Sequence, residues 1–108
     1  MWLCLSRSYL SIVADRKDKS RLLVRARVAG HIEAVFPKAE VFTDSEADYL
    51  YRAFISREEV VLALSSEVRG IDYDNFKSSV PDQALHDCYL GFWRLMHKLQ
   101  DTLRRNGK

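Results

Sequence analysis

The sequence predicts an α+β fold, a twisted antiparallel sheet of four or five strands that opens with an N-terminal meander and packs against two C-terminal helices. Three observations predict it. Strand-like alternation is confined to residues 1–55. A helix-capping box and an apolar rhythm of three and four residues fill residues 56–105. Finally, 108 residues leave room for one domain, so residues 1–108 are expected to form a single α+β unit.

The elements follow in order. "MWLCLS" and "YLSIVA" read as short strands joined by a tight turn at "RS". "ADRKDKS" is a second turn. In "RLLVRARV", Leu22, Val24, Ala26 and Val28 alternate with Leu23, Arg25 and Arg27, the signature of a half-buried strand. "AGHIEAVFP" predicts a short helix that stops before Pro37. "AEVFT" and "DYLYRAFI" are two further strands around a polar turn. Ser56 followed by Glu59 is a capping box, after which Val60, Val61, Leu64 and Val68 form a helical stripe that Gly70 ends. After Pro81, apolar residues from Leu85 to Leu103 recur at helical spacing, which predicts a long amphipathic helix of about five or six turns.

Composition narrows the function classes. Hydrophobic residues make up 47% and charged residues 30%, ordinary for a globular chain that folds without metal or disulfide. Cys4 and Cys88 lie in apolar patterns without metal spacing and are expected to be buried free thiols. Arg7 interrupts the apolar start before a signal-length core forms, and no window reaches about twenty apolar residues. The expected location is therefore cytoplasmic, with no membrane contact. Charge is uneven: residues 1–30 carry seven Lys/Arg and two Asp, and the rest carry ten against thirteen acids. Arg16, Lys17, Lys19 and Arg21 crowd one turn. They either keep a hairpin soluble or attract phosphate or an acidic surface.

The stretch "GIDYDNFKSSV", residues 70–80, invites chemical readings. Asp72 and Asp74 match the first two ligand positions of a calcium loop, but Phe76, Lys77 and Gln83 fail the next three. Capping explains the aspartates better. Asp74 is expected to cap a turn that begins near Asn75, with Lys77 close enough for a local ion pair and Tyr73, Phe76 and Val80 wedged inward. A small enzyme centred on Asp72, Asp74 and His86 remains an alternative. His86 and His97, about 16 Å apart on one helix, cannot share a metal. No GxSxG, HExxH, P-loop or GxGxxG is present, so no cofactor and no metal site is expected.

Two binding surfaces remain. Arg25, Arg27 and Arg52, near Tyr49 or Tyr51, would form a basic sheet face able to stack single-stranded nucleic acid. Leu90, Trp93 and His97 form a second face of the last helix, suited to a protein partner. Asp72 and Lys77 are candidates to join that partner surface.

An IDYxNFK pattern, formed by Ile71, Asp72, Tyr73, Asn75, Phe76 and Lys77, is followed by His86, Tyr89 and Trp93 in an HxxYxxxW spacing. Together with "MWLCLSRSYLSIVADR", "LLVRARVAGHIEAVFP" and "DYLYRAFISR", these stretches resemble a family of small bacterial proteins of about this length. The likeness spans residues 1–97 and implies no activity, cofactor or partner. The expected function is non-enzymatic protein binding by a small regulator or inhibitor, bacterial or from a mobile element. An inhibitor of host defence of the anti-CRISPR type belongs to that class. The alternatives are a nucleic-acid-binding accessory protein and the small enzyme.

Overall fold

Strands β1 (Trp2–Cys4), β2 (Tyr9–Ala14) and β3 (Arg21–Ala26) pair as consecutive antiparallel neighbours, the meander expected from their alternation. A short helix α1 (His31–Val35) follows, then β4 (Phe42–Thr43) and β5 (Tyr51–Ser56). The five strands lie in the order β1-β2-β3-β5-β4, with β5 antiparallel to both neighbours. This is the predicted α+β fold. The computed structural model describes residues 1–107 and divides them into two compact units, Met1–Asp72 and a second that begins at Tyr73.

In the first unit the alternation sets the faces. Leu10, Ile12, Val24, Ala26, Ala53 and Ile55 bury against Ile32 and Phe36 of α1 and Val60 of helix α2 (Arg57–Arg69). Burying such side chains stabilises the fold by roughly 1.5–3 kcal/mol each. Gly30 begins α1 at φ 88, a left-handed conformation that glycine adopts without strain. His31 is buried, and its Nδ1 accepts from the backbone N–H of Tyr9 (3.1 Å), which ties α1 to β2.

Helix α2 begins as its capping residues predict: Ser56 Oγ accepts from the N–H of Glu59 (3.1 Å). Its predicted four-residue stripe is only half used. Val60 is buried and Ala63 and Leu64 pack on the core, whereas Val61 and Val68 are exposed. At 100° per residue, those two lie roughly a quarter-turn round from Val60, on the helix flank. Gly70 does end the helix, but at φ −84, so it uses none of glycine's special freedom.

In the second unit the sequence expectation needs one correction. Asn75, rather than Asp74, caps the turn: its Oδ1 accepts from the N–H of Ser78 (3.2 Å), ahead of a 3₁₀ turn at Lys77–Ser79. An amide and a carboxylate compete on equal terms as caps, and here it is the Asn75 amide oxygen that meets an N–H of the turn. Asp74 is exposed and forms no ion pair with Lys77. Tyr73 and Phe76 do pack as a pair, with ring centroids 5.7 Å apart, and Phe76 meets Tyr89 at 5.2 Å. Helix α3 (Gln83–Arg105) starts at Asp82, whose carboxylate accepts from the N–H of Ala84 (3.0 Å), and ends with Arg104 and Arg105 suited to the helix dipole.

Candidate functional site

Two surfaces carry unusual chemistry, one in each unit. In the first, α1 and α2 cover one face of the sheet, while the opposite face keeps a continuous row of residues. The Cα partners Trp2, Ser11, Arg25, Arg52 and Phe42 cross all five strands in a line. At the usual strand spacing that row is about 19 Å wide. Arg25 donates through Nη2 to the Ser11 hydroxyl (2.7 Å). Beside the row, Phe54 stacks on Phe42 at 5.8 Å, with the Arg21 guanidinium 4.1 Å from its ring centre.

Tyr49 anchors this face. Its ring is buried beneath two guanidinium groups, Arg27 at 4.1 Å and Arg25 at 4.6 Å from the centroid. Burial alone would raise its pKa, but hydrogen bonds shared with Ser11, Tyr9 and Arg27, together with the Arg27 charge, outweigh that and lower it. Tyr9 moves the other way, pushed up to about 12 by burial and by its hydrogen bond to Tyr49. The bond between them thus favours a protonated Tyr9 beside a more readily ionised Tyr49.

The charges on this face are unevenly matched. Arg21 pairs with Asp15, and the contact holds the Asp15 carboxyl below its usual range. Arg25, Arg27 and Arg52 reach no carboxylate among the described residues. Arg27 donates instead to the Asp48 carbonyl (2.9 Å), and Nε of Arg25 is buried without a hydrogen-bond acceptor. The nearby loop acids are exposed and bond their own backbone, Asp44 and Asp48 accepting from the N–H groups of Glu46 and Tyr49.

Among the residues predicted for a basic face, Arg25, Arg27 and Arg52 are brought together and Tyr51 is not. Tyr51 stands one residue out of phase with Arg52 and packs on the core. Tyr49 takes its place, from a loop where strand periodicity says nothing about direction. Trp2, Phe42 and Phe54 were missed. Their signal was available, because all three fall on the non-core phase of their strands.

The second surface is α3. Tyr89 is the one buried residue of this 23-residue helix. Phe92, Leu95, Met96, Leu99 and Leu103 form a stripe at three- and four-residue steps, each between 46% and 66% exposed. A helix buried by its leucines was expected, and the exposure contradicts that. Cys88, on the same helix, is exposed rather than buried, while Cys4 is half-buried, and burial raises its pKa.

Beside the stripe, Trp93 stacks on His97 at 5.1 Å and Lys77 Nζ lies 5.1 Å from the Trp93 ring centre. Three of the five predicted partner residues therefore converge. Leu90 is half-buried on the same helical face, one turn before Trp93 and two before His97. Asp72 is exposed, with no ion pair among the described residues. Of the three residues of the enzyme alternative, Asp72, Asp74 and His86, the two in this unit form no ion pair with each other: the carboxylate beside His86 Nδ1 is its neighbour Asp87, at 3.5 Å. Among the described residues no three His, Cys, Asp or Glu groups gather as metal ligands, and no helix is long and apolar enough to cross a membrane.

No protein-family model, curated protein or solved structure matches this chain.

Proposed function

We propose that the chain is a non-enzymatic protein-docking module that holds its partner through the apolar stripe of α3. The observation that carries this reading is the exposure of Phe92, Leu95, Met96, Leu99 and Leu103 along one side of a helix with a single buried residue. Contiguous apolar surface of this kind costs free energy in water and marks interaction sites. Trp93, in contact with Lys77 and His97, supplies an aromatic anchor at its border. Lys98 and Arg105, seven residues apart, fall together on one flank of the stripe. The occupant best suited to it is an amphipathic helix of another protein with acidic residues along its edge. Such docking is all that a small regulator or inhibitor requires.

The test compares the wild-type chain with a Leu95→Glu/Leu99→Glu double variant in capture from the lysate of its source cell. Wild type retains a defined protein that the double variant loses, while both keep the same circular dichroism and melting temperature. Equal retention by the two chains would overturn the reading. If light scattering shows a dimer that the double variant abolishes, the stripe belongs to a second copy of the chain.

A further inference from the structure

The open sheet face of the first unit points to a different ligand. We propose that it binds single-stranded nucleic acid, independently of the α3 surface. The reasoning starts from charge. Arg25 and Arg52 face each other across β3 and β5, and Arg27 lies two residues on from Arg25, none of them within reach of a carboxylate among the described residues. Like charges held directly opposite in a sheet are destabilising. An anion with regularly spaced charges relieves that repulsion, and a phosphate backbone supplies it, bidentate to a guanidinium.

Aromatic surface narrows the class. Trp2 and Phe42 end the same row that holds the arginines, and they and Phe54 remain 41% to 68% exposed. Flat rings beside cations on an open sheet are the platform on which unstacked bases lie, and every base has such a face. A duplex keeps its bases stacked inside, and the two helices of the first unit pack on the core face, so neither is placed to enter a groove from this one. An acidic peptide would use the arginines but leave the three rings unused.

The experiment measures fluorescence anisotropy of labelled oligo(dT) and oligo(U) across a salt series, with a duplex and a poly-glutamate peptide as further arms. Arg52→Gln and Trp2→Ala are the variants, since the Arg52 side chain has no hydrogen bond or ion pair among the described residues and Trp2 is the most exposed ring of the three. Wild type binds single strands, and affinity falls steeply with salt. Arg52→Gln makes the log–log salt slope shallower by about 0.7, the contribution of one contact to a single strand. Trp2→Ala weakens binding roughly five-fold or more while leaving that slope unchanged. The proposal is overturned by no binding to either oligonucleotide at low salt, by equal affinity for duplex or poly-glutamate, or by a slope that Arg52→Gln does not move. Because Leu95→Glu/Leu99→Glu leaves this face untouched, loss of one surface does not alter the reading of the other.

Discussion

Arg25 and Arg52 are direct cross-strand partners on the sheet face opposite α1 and α2, two cations without a counter-ion among the described residues. One of them is held in place and the other is not: Arg25 is anchored by Ser11 and the Tyr49 ring, and Arg52 has no such bond. The isolated protein therefore gains from losing Arg52. Arg52→Gln is expected to raise stability by about 0.5 kcal/mol in low salt, and the gain should fade as salt screens the pair. Urea denaturation at two ionic strengths measures both. A loss of stability in low salt would show that the repulsion is absent.

The cap of α2 gives a second test. Ser56→Ala removes the acceptor for the Glu59 N–H and should cost about 1 kcal/mol. Ser56→Gly should cost only a few tenths. Thermal or urea unfolding of the two variants would contradict the assignment if their order were reversed.

At the corner before α3, the neighbours Asp74 and Asn75 should respond differently. Asn75→Ala loses the bond to the Ser78 N–H and should cost about 1 kcal/mol. Asp74→Ala should be silent to within a few tenths. Phe76→Ala should cost about 2 kcal/mol, below the full price of a buried ring because Phe76 is half-exposed. A costly Asp74→Ala would restore Asp74 as the cap.

The paired phenols predict an alkaline response. Tyr9 is held protonated by the fold, so its contribution is fully present below about pH 10, the ordinary tyrosine value. That contribution is lost as the pH rises toward about 12. Tyr49 is lowered, so its own contribution is present above the ordinary value and disappears as pH falls through the folded one. Tyr9→Phe should remove the phenol titration near pH 12 and raise that of Tyr49, which loses the bond that favours its ionised form. It should also flatten the fall in stability between about pH 10 and 12. Phenolate absorbance and unfolding across that range check both, and an unmoved Tyr49 titration would mean the two phenols are not bonded.

Much of this architecture was legible from local pattern. Alternation in residues 9–14 and 21–28 determines two strands and their faces, because a period of two leaves each side chain only two directions. Ser56, Asp82 and Pro81 mark helix starts because unsatisfied N–H groups demand acceptors there. Local rules also separated Arg25 from Val24 and placed Arg52 in phase with Phe54. Only the tertiary structure decided what those faces meet. That Arg25 stands against Arg52, with Trp2 and Phe42 at the two ends of the row, depends on strand order, and β5 inserts between β3 and β4 through contacts distant in sequence. Tyr49 lies in a loop, where no period dictates direction, and its burial under Arg25 and Arg27 is a product of packing. The stripe of α3 shows the same limit from the other side. Spacing determines that Leu95, Leu99 and Leu103 share a face, but an apolar face turned to a core and one left for a partner have the same period, and only their surroundings tell them apart.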